Sequence, residues 1–268
     1  MDFESTARAR PRGRLPRSPW PAVLAAAGLA AAGGVHGQAT VRDDGRWRSA
    51  VAITFAATEG NSRSVNLAVN ADAVVATPVD KTQLYSTALY GRSQGQTTAD
   101  LWRAGVKHDW NLSEQLYVFG LLEGERDEPA RLSSRVTVGT GMGWRFFNSE
   151  QQKFEVFGGA GYVSDRYQGP RVIEGIERVR YAHPTALLGE QSLHQVGQST
   201  TLRQRFVAYP DLVNDGQYRM QWDAGIAVAA SDRLSITTGL NVKYMSEPGA
   251  GQRRTDAIFT TGLSVKFE

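Results

Sequence analysis

The sequence predicts an all-β protein, a transmembrane up-and-down antiparallel β-barrel of about twelve strands. Three observations predict it. From residue 46 to residue 267 the chain is a succession of strand-length segments in which apolar and polar residues alternate, with no helical apolar pattern between them. The connectors alternate between tight polar turns and longer, more variable loops. Aromatic residues gather at strand ends on the apolar parity, while charges lie deep inside strands on the other parity.

The first element is a leader. Residues 1–37 read as a secretory signal peptide: an arginine-rich stretch, then the apolar run "AVLAAAGLAAAGG" at 22–34, then small residues in "VHGQA" at 35–39. The run is shorter than the roughly 20 apolar residues that span a bilayer as a helix. Cleavage is expected after Gly37 or Ala39, with 38–45 as a short linker and 46–268 as the barrel. The leader also accounts for the charge. The chain has 30 basic and 27 acidic residues; Arg8, Arg10, Arg12, Arg14, Arg17, Asp2 and Glu4 lie in the leader, so 25 of each remain. A nucleic-acid partner loses its support with that balance. Cysteine is absent, which excludes a lipid-modified N-terminal cysteine and any thiolate metal site.

The twelve expected strands lie near 46–58, 62–75, 81–93, 98–110, 115–126, 133–147, 153–166, 178–192, 200–211, 216–230, 233–247 and 254–267. Tight turns recur in "WNLSEQLYV" (110–118), "FFNSEQQKFEV" (146–156), "HQVGQSTTL" (194–202) and "AASDRLSI" (229–236), with "TPVDKTQL" (77–84) in the fifth such position. The variable connectors are "TEGNSRS" (58–64), "SQGQTT" (93–98), "RDEPARLSS" (126–134), "RYQGPRVIEGIE" (166–177), "YPDLVNDGQ" (209–217) and "SEPGAGQRR" (246–254). A propeller would repeat in blades of four strands, and no blade signature is present. A two-sheet sandwich explains the alternation but neither the alternation of turn and loop nor the helix-free stretch from 46 to 267.

The sides of each strand follow from residue type. On the apolar parity, Trp47, Trp102, Trp110, Tyr117, Trp144, Phe146, Phe154, Tyr218, Trp222, Tyr244, Phe259 and Phe267 suit the two membrane–water interfaces. On the other parity stand Asp72, Arg103, Lys107, Asp109, Arg135, Arg145, Glu155, Arg219, Asp223, Lys243 and Lys266. A mid-plane Arg or Lys facing lipid costs about 2–4 kcal/mol, so this parity is expected to face the lumen. It is also expected to be rich in glycine, with Gly139, Gly141 and Gly143 in one strand and Gly158, Gly159 and Gly161 in the next, a sign of curvature or close backbone approach.

Three stretches, "SAVAITFAATEGNSRSVNL" (49–67), "FGGAGYVSDRY" (157–167) and "YMSEPGAGQRRTDAIFTTGLSVKF" (244–267), resemble the outer-membrane family labelled salt-induced outer membrane protein. The resemblance implies an outer-membrane barrel of a Gram-negative bacterium, in contact with outer-membrane lipids and assembled by the barrel-assembly machinery through its C-terminal strand. It implies no activity and supplies no site residues. One departure stands out: Phe259, Thr261, Leu263, Val265 and Phe267 alternate as a terminal barrel strand should, but Glu268 follows the final aromatic.

No residue set looks catalytic. His108, His183 and His194 form no H-E-x-x-H pair, and there is no G-x-S-x-G elbow. His108, between apolar neighbours beside Trp110, reads as interfacial; His183 precedes Pro184, near a kink. "DLVNDG" (211–216) lacks EF-hand spacing and reads as a turn. No enzyme activity, cofactor or metal is therefore expected. The leading functional expectation is a narrow passive pore for small polar solutes or ions. The alternatives are a non-conducting structural or stress-related barrel with a plugged lumen, favoured if large side chains meet across it, and an interfacial hydrolase, which would need a serine beside His108 or His183.

Overall fold

The computed structural model describes residues 39–58, 64–149, 151–173, 175–214, 216–248 and 253–267. The leader, residues 59–63 of the first variable connector and Glu268 lie outside these. Twelve strands follow in order: β1 Arg48–Thr58, β2 Ser64–Ala76, β3 Asp80–Ser93, β4 Gln96–Asn111, β5 Leu116–Asp127, β6 Leu132–Asn148, β7 Gln152–Ile173, β8 Ile176–Val196, β9 Thr200–Pro210, β10 Tyr218–Ala229, β11 Leu234–Met245 and β12 Thr255–Phe267. Each pairs antiparallel with its sequence neighbours, and β1 pairs with β12, so the sheet closes into a barrel. The closing ladder is short: among the described residues it has five pairs, from Ser49–Phe267 to Ile53–Leu263, against eleven between β1 and β2.

Closure removes both sheet edges, and the alternation then decides which side chain meets which medium. In β11, Ile236 points outward and is 53% exposed, while its neighbour Thr237 points inward and is 2% exposed. The outer wall carries Ile53, Phe55, Leu122, Val138, Met142 and Leu263, all exposed. An apolar wall of this kind is unsuited to water, and closure pairs the first strand with the last over Ser49–Ile53 and Leu263–Phe267. No helix among the described residues is long and apolar enough to cross a membrane, so any crossing is made by strands.

The tight turns share one device. In four of the five, a hydroxyl residue begins the turn: Thr77, Ser113, Ser149 and Ser231. Its backbone N–H donates to the carbonyl three residues on, at 2.8–3.0 Å. Its side-chain oxygen accepts the N–H of that same third residue: Asp80 at 3.1 Å, Leu116 at 2.9 Å, Gln152 at 3.0 Å and Leu234 at 3.1 Å. The hydroxyl fixes the turn locally, as Ser and Thr do when they compete for backbone donors. The fifth turn, between β8 and β9, uses Gly197 at φ +69°.

At the other end, two connectors differ from expectation. The 93–98 stretch is a two-residue turn, with Gln94 and Gly95 both at positive φ (48° and 82°), the geometry that matches strand twist in a hairpin. The 166–177 stretch is strand for most of its length. β7 runs on to Ile173 and β8 begins at Ile176, with a register shift between Arg166 and Arg171 absorbing Gly169 and Pro170. The ladder resumes because Arg171–Ile173 and Ile176–Arg178 pair again across Gly175. This hairpin folds over the barrel mouth: Ile173 is buried with Leu132, Tyr167 and Tyr181, and Arg171 donates to the Glu247 carbonyl, from the β11–β12 connector.

Candidate functional site, the barrel lumen

The inner parity of β3 to β11 brings the charges together in layers. Near the tight-turn end, fully buried Asp109 accepts Lys107 Nζ at 2.5 Å and forms an ion pair with Lys81 Nζ at 2.9 Å. Arg145 donates to Asn111 Oδ1 at 2.8 Å and lies 3.8 Å from Glu155. Tyr117 Oη donates to Glu155 at 3.0 Å. The segment before β1 turns in at this end, where Ala39 N donates to Asp72 at 2.7 Å. Outside the strands, Asp44 receives both terminal nitrogens of Arg48, at 2.8 and 2.6 Å, and these hydrogen bonds hold its carboxyl well below the usual carboxylate range.

An apolar layer follows. Tyr117, Phe119, Phe157, Leu187, Val207 and Tyr209 form one buried cluster inside the barrel. Phe119 and Phe157 meet edge to face at 5.7 Å. Lys107 Nζ lies 4.8 and 5.0 Å from the ring centroids of Tyr117 and Phe119, and Arg145 lies 4.4 Å from that of Tyr117. Glycines make room for these rings. Tyr117 lies over Gly143 and Phe157 over Gly189, each so close that a Cβ on the glycine would collide with the ring. The inner-wall glycines thus serve ring packing as well as curvature. Between β6 and β7, Gly141 and Gly159 serve close approach directly, since a Cβ on either would meet backbone atoms of the other strand.

The next layer spans the barrel. Lys243 of β11 reaches Glu125 of β5 at 2.7 Å and Asp127 at 3.2 Å. These two strands are six places apart in a ring of twelve, and so diametrically opposed. Glu125 also lies 3.4 Å from Arg103 and 3.7 Å from Arg219. One carboxylate thus gathers three cations, all of them largely buried. Asp223 accepts from Gln221 at 2.9 Å and from Asn241. Arg135 holds Asp165 through two parallel N–H donors at 2.7 and 2.6 Å.

The structure thus places Asp72, Arg103, Lys107, Arg135, Arg145, Glu155, Arg219, Asp223 and Lys243 on the inner wall. It joins Arg103, Arg219 and Lys243 at Glu125, and sets Asp72 apart with the N-terminal segment. Trp47, Trp110, Phe146 and Phe267 are half exposed on the outer wall, and Trp222 and Tyr244 share that wall. Tyr117 is a correction. Expected at a membrane interface, it is fully buried in the lumen, because β5 is apolar on both faces near its start and parity alone does not separate them. Sequence reasoning also missed Phe119, Phe157, Leu187 and Val207. The available signal was a glycine on the adjoining strand, which becomes readable only once register is known.

The two histidines singled out from the sequence have different surroundings. His108 faces outward, 2.8 Å from Thr82 Oγ1 and edge-on to Trp110. His183 faces Asp211 at 3.6 Å and stacks on Tyr181. Among the described residues no group of three or more His, Cys, Asp or Glu residues is placed to hold a metal ion. Asp211 caps a turn, accepting the N–H groups of Val213 and Asn214.

Residues 51–267 match the model of the family described as "Protein of unknown function, DUF481". No curated protein matches the chain. Among solved structures, the chain is similar to the translocator domain of autotransporter NalP from Neisseria meningitidis, at 10% identity over 83% of this chain and 89% of that one, with a TM-score of 0.44. It is similar to the NanC porin, at 10% identity over 82% and 97% of the two chains with a TM-score of 0.44. It is also similar to the KdgM porin, at 8% identity over 83% and 100% with a TM-score of 0.41.

Proposed function

We propose that this chain, which belongs to the family described as protein of unknown function DUF481, is an outer-membrane barrel of a Gram-negative bacterium whose lumen is held shut by its own side chains. In this reading the tight turns face the periplasm, outer-membrane lipids cover the apolar wall, and the barrel-assembly machinery handles β12. One observation carries the closed state: Lys243 meets Glu125 across the full width of the barrel at 2.7 Å. The buried ring cluster of Tyr117, Phe119 and Phe157 supports it from a second level. A barrel of twelve strands is wide enough to conduct only if its interior side chains leave room.

The second reading is a narrow pore that opens. It is favoured by the nature of the obstruction at the Glu125 level, which among the described residues consists of charged side chains that substitution can remove. Planar-bilayer recording of the refolded mature protein tests the choice. The closed barrel should give no discrete conductance steps, and Lys243→Ala combined with Glu125→Ala should introduce them. Regular steps from the unmodified protein would replace the closed reading with the pore.

A further inference from the structure

The long-loop end of the lumen holds a recess walled by β6, the later part of β7, the first part of β8, the end of β9, Asp211 and Gln217, the start of β10, and Met245 and Glu247. Three carboxylates line it: Glu247 is exposed, and the two buried ones, Asp165 and Asp211, are already supplied with donors. Asp165 accepts two N–H bonds from Arg135 and the Tyr167 hydroxyl at 2.8 Å. Asp211 accepts the Tyr181 hydroxyl at 2.8 Å and two backbone N–H groups. The cations are not matched in the same way. Arg135 Nη1 and Arg219 Nη2 have no hydrogen-bond partner among the described residues, nor does His183 Nδ1, and all three residues line this one recess. The Arg135 side chain is 9% exposed.

A recess whose buried carboxylates are filled and whose buried guanidiniums have spare donors recognises a group made of acceptors. Buried guanidinium N–H groups without a partner are unfavourable, and the planar fork of arginine matches carboxylate and phosphate oxygens. Both guanidiniums are held in place. Arg135 is locked by Asp165, and Arg219 lies 4.1 Å over the Tyr209 ring with Nη1 directed to Glu125. The β7–β8 hairpin leans across the mouth, so an occupant must be small. We propose that this recess binds a small oxyanion, a phosphate or carboxylate group, between Arg135 and Arg219. The inference does not depend on whether the lumen conducts.

The test uses the refolded mature protein in neutral detergent and phosphate-free buffer, titrated calorimetrically with inorganic phosphate, acetate and glycerol phosphate, with chloride as the control. Saturable 1:1 binding of phosphate or acetate is expected, and chloride should not compete. Arg219→Gln should weaken binding at least tenfold, and Arg219→Lys, which retains the charge but not the fork, should weaken it less. Arg126→Gln, exposed and outside the recess, should change it less than twofold. Glycerol phosphate binding as tightly as phosphate would identify a headgroup as an acceptable source; binding of the free ions alone would restrict the site to them. Absence of saturable binding by the unmodified protein overturns the proposal, as does equal binding by folded Arg219→Gln and Arg219→Lys proteins that still migrate as heat-modifiable barrels.

Discussion

Replacing Gly143 by alanine tests the ring-over-glycine packing of the lumen. A Cβ at this position would stand within 2.5 Å of three atoms of the Tyr117 side chain. Non-bonded carbons settle at about 3.5–4.0 Å, so the ring must shift by an ångström or more. Two effects oppose each other. Removing a glycine from a strand stabilises by about 0.5–1 kcal/mol. Overpacking costs about 1–3 kcal/mol, and a displaced ring gives up the Tyr117–Glu155 hydrogen bond, worth about 1.5–3 kcal/mol with a charged acceptor. The expected net destabilisation is therefore about 2–5 kcal/mol. The assay is denaturant unfolding of the barrel refolded in vesicles, followed by tryptophan fluorescence, in a cycle with Tyr117→Ala. In the Tyr117→Ala background the obstacle is gone, and Gly143→Ala should be neutral or stabilising. If it destabilises equally in both backgrounds, the reasoning about this pair is wrong.

Glu125→Gln deprives Arg103, Arg219 and Lys243 of their shared carboxylate. The same unfolding assay should show a loss of about 3–5 kcal/mol, nearer the lower figure because Lys243 keeps Asp127. Val138→Arg sets a charge on the outer wall midway along β6. It should cost about 2–4 kcal/mol in a bilayer, whereas Val138→Leu should be silent. Asp44 has a folded-state pKa below its unfolded value, so its link to Arg48 is present above the ordinary aspartate pKa and lost as the pH falls through the depressed one. A carbon-detected NMR titration should find this carboxylate ionised where free aspartate is half protonated, and Arg48→Gln should return it to the usual range.

How much was legible depends on what each face carries. In β11 the two parities differ in kind, Ile236 and Leu240 against Thr237 and Lys243, so the sides could be assigned from residue type and the closed antiparallel barrel followed. In β5 both parities begin apolar: Leu116 and Val118 point outward, Tyr117 and Phe119 inward. No one-dimensional pattern separates a ring meant for lipid from a ring meant for the lumen, because both are apolar neighbours of a strand end. The β7–β8 hairpin was hidden for a different reason. Gly169 and Pro170 are loop signals, yet here they fill a bulge, and the strand resumes beyond them through long-range pairing. The diametric Lys243–Glu125 contact joins residues 118 positions apart and exists only once the ring has closed.

The short ladder between β1 and β12 gives the cylinder a suture. Every other neighbouring pair must surrender more backbone contacts to separate, each costly in a medium that offers no replacement partners. Under tension, heat or extraction the wall should therefore part where Ser49–Ile53 faces Leu263–Phe267, and uncurl as a ribbon from its two free borders. That same line is where the first and last strands must find each other during insertion, so the last bond made in building the vessel is the first to yield.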